Sequence, residues 1–324
     1  MINPNLKKIV NVYQVQYAGF KAPGLGDFLR GCFSMCQFIH VINKAYGTSI
    51  KFGIDIRNHP MSKWIVQPAV PLSITYETLG EFQINPQMVT DATSNDAMLK
   101  EITKRFNALS VDSTGTYYGF CCKYETYDIY NRSDLEFIQE RFVPTPHMAA
   151  YIQSALMELN LKPKSYSVLH VRCLDGDSFT FTKGVPPKPL SAAYLKTLDG
   201  LVHDAVDPTK TYVILSSHNG VKQHYNSKIG FVSRQSAICH LGLDDNQEED
   251  ATKDTMLDFY LMSMANDIIG ITPYGVCGFS QECAKLYGIP HKYVKFPEAP
   301  ENFTMAHMPP AQRMAYDLLF RRVD

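Results

Sequence analysis

The sequence is short of the features that place a protein at a glance. Its eight cysteines include no CxxC pair, so neither a zinc ribbon nor a dithiol redox motif is suggested. No apolar run approaches the roughly 18 residues of a spanning helix, and the opening MINPNLKKIV does not read as a signal peptide. A cytoplasmic protein with reduced thiols and no membrane span is therefore expected. Charge is sparse, at 19% of residues, and balanced at 31 Lys+Arg against 32 Asp+Glu. That balance gives no general attraction to nucleic acid or to an anionic membrane. Internal repeats and low-complexity tracts are absent. With 45% hydrophobic residues, disorder over most of the chain is excluded.

The 324 residues suffice for two domains of about 100–200 residues, each with its own core. The first half opens with a strand candidate, Ile9–Val15, then a loop holding Gly19, Pro23, Gly24 and Gly26. A helix follows from about Phe28 to Tyr46, with Phe28, Cys32, Met35, Ile39 and Ile42 on one stripe, and then a strand at Ser49–Ile54. That order is the start of a parallel α/β sheet. Between Pro60 and Tyr130 the pattern is irregular. Helices are expected near Asp134–Arg141 and His147–Leu159, and a boundary at Leu161–Ser165.

In the second half strands at Tyr166–Val171, Tyr212–Leu215, Ile268–Ile271 and His291–Val294 alternate with helices at Ala192–Ala205, Val221–Asn226, Thr255–Met264 and Ser280–Tyr287. This predicts a second doubly wound domain. Asp244–Asp250 reads as a solvated acidic loop and Pro310–Arg322 as a C-terminal helix able to cross back onto the first domain. The expected organisation is a first α/β domain over 1–162, a second over 163–305 and a tail over 306–324.

Ligands of open α/β sheets bind beyond the C-terminal ends of the strands. There the apolar run Val168–Val171 leads into Arg172 and Asp175, with His170 inside it. Arginine presents a fixed fork of donors suited to a diphosphate, and an Arg172–Asp175 structural ion pair is the bland alternative. The segment Gly275–Glu282, with Gly278, Phe279, Ser280 and Gln281, follows a strand and opens a helix, whose N-terminus suits phosphate or simply needs a serine cap. Gly24, Gly26 and Asp27 form a glycine loop ahead of a helix, where Asp27 either caps the helix or serves chemistry. A GxGxxG dinucleotide fingerprint is not met, because Leu29 stands where the third glycine belongs. His40 and Trp64 read as packing residues. Lys183 and Lys188, among Pro186, Pro187 and Pro189, read as a connector.

Taken together, four segments resemble the fucosyltransferase superfamily. HVRCLD (His170–Asp175) is similar to its HxRxxD motif, and GFSQECAKL (Gly278–Leu286) to the phosphate loop of α-1,6-fucosyltransferases. GLGDFLRG (Gly24–Gly31) is similar to the N-terminal glycine loop of nodulation fucosyltransferases, and Leu257–Gly275 resembles the segment between the later motifs. The resemblance spans Gly24–Gly53 and about Val168–Gly288. It implies a GT-B fold of two Rossmann-like domains facing across a cleft. It further implies an inverting, metal-independent transfer of sugar from a GDP-sugar, most simply GDP-fucose, to a glycan hydroxyl. The donor is then a substrate, and neither cofactor nor metal ligand is expected. By the same resemblance Arg172 holds the β-phosphate, Ser280 and Gln281 hold phosphate beside Gly278 and Phe279, and His170 lies close to the nucleotide. The Gly24–Asp27 loop sits near the donor sugar, with Asp27 as candidate base. Family members often carry an acidic residue in the turn where this chain has Ser217 and His218; Asp258 is a candidate to compensate, and another nucleotide sugar is the open alternative. A non-catalytic nucleotide-sugar or glycan-binding protein of the same fold is the rival of another class.

Overall fold

The computed structural model describes residues 2–14, 16–17, 20–21, 24–67, 80–81, 95–121, 132–173, 189–237, 239, 241–242, 248–273 and 277–297. Asp175, the connector lysines, the centre of the acidic loop and the expected C-terminal helix lie outside the described residues. The first half contributes β1 (Lys8–Val12), the short pair β2 (Gln16–Tyr17) and β3 (Phe20–Lys21), α1 (Leu25–Tyr46), β4 (Lys51–Asp55), β5 (Gly80–Glu81), α2 (Asn95–Asn107), β6 (Thr116–Phe120), α3 (Arg132–Glu140) and α4 (Pro146–Glu158). The second contributes β7 (Ser167–Val171), α5 (Ala192–Ala205), β8 (Tyr212–Ser216), α6 (Asn219–Asn226), β9 (Phe231–Val232), α7 (Glu249–Ser263), β10 (Ile268–Thr272), α8 (Gly278–Tyr287) and β11 (His291–Lys295). Among the described residues no helix is long and apolar enough to cross a membrane.

Two separate parallel sheets result, β4-β1-β6-β5 and β11-β10-β7-β8-β9. Strands covered on both faces have no reason to alternate polar and apolar residues, so β7 (SVLHV), β8 (YVILS) and β10 (IIGIT) are apolar runs with every residue buried. In the second sheet the chain leaves β7 toward β8 and β9, then returns to the other side of β7 as β10 and β11. The reversal opens a crevice between the C-terminal ends of β7 and β10, where ligands of such sheets bind.

The two halves share one core. Tyr13, Phe28, Trp64 and Phe142 belong to the same buried cluster as Phe259, Tyr260, Cys283 and Leu286. Each such side chain contributes roughly 1.5–3 kcal/mol when removed from water. A 3₁₀ turn at Pro60–Trp64 lies against α7, where the Trp64 indole donates to Thr252 at 3.2 Å. His59 accepts from the Met61 amide through Nδ1 at 3.1 Å, so its Nε2 carries the proton and donates to the Leu241 carbonyl at 2.5 Å. Tyr13 donates to that same carbonyl and stacks on the His59 ring, 4.6 Å between centroids.

Several details differ from the sequence expectation. Helix α1 begins three residues before Phe28, with Gly24 as its N-cap. The expected stripe is fully buried, but His40 lies on the exposed side and is not a packing residue. Glu249 and Asp250, assigned to the acidic loop, form the first turn of α7, where the positive end of the helix dipole favours them. Helix α8 starts at Gly278, two residues before the expected Ser280. Helix α2 and strands β5 and β6 were not legible in the irregular stretch after Pro60.

Candidate active site

The two glycine-rich segments, one at the start of α1 and one at the start of α8, meet. A Cβ built on Gly26 would fall 2.3 Å from the carbonyl carbon of Gly278 and 2.6 Å from the Phe279 nitrogen. Only a residue without a side chain allows this approach. Helices α1 and α8 therefore touch at their N-termini, which carry unpaired N–H groups and positive dipole ends. Two like ends in contact repel, and a bound anion removes the repulsion.

The contact extends one turn along each helix, because residues four apart share a face. Four positions after Gly26 is Arg30; four after Gly278 is Glu282. The Arg30 Nε and Nη2 both reach Glu282 Oε1 at 3.3 Å, and Arg30 Nη1 reaches Asp27 Oδ1 at 3.4 Å. Glu282 is fully buried. Burial pushes its carboxyl up while Arg30 and Lys285 pull it down, for a net rise. Asp27, in the first turn of α1, remains partly exposed at the mouth of the junction.

On the second sheet, Arg172 follows β7 directly, and its amide donates to the Ile271 carbonyl of β10 at 2.9 Å. Its charge acts on the buried Cys277 thiol at the start of α8 and on His170. Arg172 is thus held between the two strands that border the crevice. His170 is buried on β7, its ring 6.0 Å from that of Phe279, and its Nδ1 has no hydrogen-bond partner. Burial first, then the Arg172 charge, pushes the imidazole down to about 4, so it is neutral at physiological pH.

Helix α8 has Cys277 as its N-cap and no side-chain cap hydrogen bond, although the Phe279 and Ser280 amides act on the Cys277 thiol. Tyr293, on β11, supplies the missing anchor. Its hydroxyl accepts from the Cys277 amide at 2.9 Å and donates to the Cys277 carbonyl at 3.1 Å. Gly270 on β10 makes room for that ring, since a Cβ there would meet it at 3.0 Å. Ser280 is buried, its hydroxyl turned to the Cys277 carbonyl at 3.4 Å, so the amide that α8 leaves uncommitted is that of Gly278. The Gln281 amide closes the first helical bond, to Cys277 at 3.0 Å.

The remaining candidate residues lie at the end of β8, at the start of α6 and on α7. Ser217 accepts from the Cys173 amide at 3.2 Å, and His218 caps α6 by accepting from the Gly220 amide at 2.9 Å. Both are committed to local backbone. Asp258, on α7, is 16% exposed and pairs with the buried Lys222 of α6 at 3.7 Å. Of the sequence-predicted residues, Gly26 meets Gly278 and Phe279, the Phe279 ring lies beside His170, and Arg172 and Asp258 both act on His170. Arg30, Glu282, Tyr293 and Lys222 were missed. The i+4 spacing from each glycine marks Arg30 and Glu282, but only once the two glycines are known to meet. Among the described residues no three His, Cys, Asp or Glu side chains are grouped as a metal site.

No family model matches the chain, and no curated protein matches it in sequence. Solved structures do match in shape. The NodZ α-1,6-fucosyltransferase soaked with GDP-fucose aligns with TM-score 0.51 and 12% identity, covering 90% of this chain and 95% of that one. The fucosyltransferase NodZ from Bradyrhizobium aligns with TM-score 0.50 and 13% identity, covering 90% and 96%. At this identity the likeness concerns the fold, which is GT-B: a mixed α/β architecture with parallel sheets.

Proposed function

We propose that this chain is a glycosyltransferase that moves a sugar from a nucleoside diphosphate sugar, most simply L-fucose from GDP-fucose, to a glycan hydroxyl with inversion. The observation that carries the proposal is the junction of two helix N-termini, glycine against glycine, beside Arg172 at the strand-order reversal. A diphosphate supplies the negative charge such a junction calls for. The shared fold with NodZ, whose structure was solved with GDP-fucose, supports the same reading.

In the reaction the acceptor oxygen attacks the anomeric carbon, the bond from that carbon to the β-phosphate oxygen breaks, and the electron pair leaves with the diphosphate. Arg172 and the Gly278 amide at the start of α8 stabilise the charge that grows there, which lowers the barrier because the charge is larger in the transition state. Asp27, partly exposed and held by Arg30, is the candidate to take the acceptor proton. None of these steps needs a metal.

With Ser217 and His218 engaged by backbone amides, Asp258 is, among the described residues, our candidate to accept from the N–H edge of a base. Guanine, with adjacent N1–H and N2–H donors, fits a carboxylate best. A calorimetric screen of GDP, UDP, ADP and their sugars tests the reading, followed by an assay for nucleotide release in the presence of glycan acceptors. If none of the nucleotides binds, the site is misassigned. Binding without release from any donor points instead to a carrier or sensor of the same fold.

A further inference from the structure

Lys222 is a buried charged residue of the second half, as are Glu282 and Asp254. It is 1% exposed, on α6, and is not part of the diphosphate side of the crevice. Its ammonium donates to the Ser236 hydroxyl at 2.5 Å and lies 3.7 Å from Asp258 Oδ2. The segment carrying Ser236 is stitched to both neighbouring helices. Asn219 donates to the Ser236 carbonyl at 2.9 Å, and the Ala237 amide donates to Asp254 on α7 at 2.8 Å. The ammonium therefore has a fixed seat.

A lone buried ion pair is a poor stability device. Two charges leave water, and an apolar side chain of similar volume commonly does as well or better. An ammonium is also the more strongly hydrated of the two basic groups. The pair is instead placed where charge matters to a ligand. Asp258 is partly exposed, and His170, on the adjacent strand, senses both Asp258 and Lys222. Among the described residues, Lys222 from α6, His170 from β7, and Asp254 one turn earlier on its own helix act on Asp258. Burial is the largest influence and, with Asp254, pushes the Asp258 carboxyl above its ordinary value on balance; Lys222 is the largest influence pulling it back down, followed by His170.

We propose that Lys222 is a positioning residue for base recognition: its buried ammonium fixes the charge and direction of the Asp258 carboxylate, which the crevice offers to the N–H edge of a nucleobase. The proposal rests on the function proposed above and deepens it. A neutral carboxylic acid would accept from such an edge less well and present a competing proton; a charged, fixed carboxylate accepts through both oxygens. The turn after β8 carries no acid to share this task, since Ser217 and His218 stand there.

The test has a ligand-free arm and a ligand arm. Carboxyl ¹³C resonances report the titration of Asp258 in the wild type, Lys222→Arg and Lys222→Met. Loss of an opposite charge at this range moves a carboxyl by about 1–3 pH units. The Asp258 midpoint should rise by at least ~1 unit in Lys222→Met and stay near wild type in Lys222→Arg. Should Lys222→Met not fold, Lys222→Gln, which keeps a donor for Ser236, takes its place. In calorimetry with GDP, Lys222→Met should bind about tenfold more weakly at the pH where Asp258 has become protonated, and recover as pH is raised. On an Asp258→Asn background the same substitution should change GDP affinity by less than ~2-fold. An unmoved Asp258 titration overturns the proposal, as does an equal loss of affinity with and without the Asp258 carboxylate. If Asp258 follows Lys222 but no nucleotide binds the wild type, the proposed function has failed, and with it the ligand assigned to Asp258.

Discussion

The contact between Gly26 and Gly278 makes an asymmetric prediction for two neighbouring glycines. A Cβ on Gly26 would lie 2.3, 2.5 and 2.6 Å from three backbone atoms of Gly278 and Phe279. An ordinary carbon contact is about 3.5 Å, so alanine there requires the two helix ends to separate by about 1 Å. No flexible side chain can yield, because all three atoms are main chain. Overpacking of this kind costs about 1–3 kcal/mol. At roughly 2–4 °C per kcal/mol, the melting temperature should fall by about 2–12 °C. The functional loss should be larger, because a displacement of about 1 Å at a reacting centre can cost ~10²-fold in rate. A Cβ on Gly278, by contrast, meets nothing closer than 3.5 Å, and that atom is the movable end of Arg30. Gly278→Ala should therefore lie within about 0.5 kcal/mol of wild type. Gly200→Ala, on α5 with nothing within 4 Å, is the control and should stabilise by roughly 0.5–1 kcal/mol. Thermal melts and GDP calorimetry on the three variants give the answer. If Gly26→Ala melts and binds like wild type, or if Gly278→Ala is equally damaging, the helix ends do not meet as described.

Arg172→Lys keeps the charge but loses the fork, so it should retain measurable nucleotide affinity and lose at least ~10²-fold in turnover; near-normal transfer by a folded variant removes Arg172 from the mechanism. His59, His170 and His291 are each pushed down to about 4, chiefly by burial, against an unfolded value near 6.5. Below pH 6.5 the unfolded chain binds protons that the folded chain refuses, so stability present at pH 7.5 should be lost progressively toward pH 4. The urea midpoint should drop between pH 7.5 and 5, and His59→Gln should flatten that drop; equal midpoints for the wild type at both pH values contradict the neutral burial of these rings. Transfer activity should survive EDTA, and abolition by chelation with recovery on adding Mn²⁺ would refute the metal-independent mechanism.

The sequence alone determined the elements whose cause is local. The stripe Phe28, Cys32, Met35, Ile39 and Ile42 predicted α1, and the apolar runs Tyr166–Val171, Tyr212–Leu215 and Ile268–Ile271 predicted strands of a doubly wound domain, because periodicity is a property of neighbours along the chain. The order strand, glycine loop, helix pointed to the two segments that matter. Helix starts were less legible: Gly24 and Cys277 lie at N-caps without a side-chain cap bond, so no capping signature marked them. What only the tertiary structure decided was which residues meet. Gly26 and Gly278 are 252 positions apart, and the Arg30–Glu282 pair repeats that separation one turn later. Tyr293 anchors α8 from a strand that follows it, and Lys222 reaches Asp258 from another helix. Ser280 shows the converse, since a hydroxyl expected to face phosphate is turned inward once α8 begins at Gly278. Such pairings depend on how two sheets are placed, and sequence periodicity carries no information about the distance between elements that never touch along the chain.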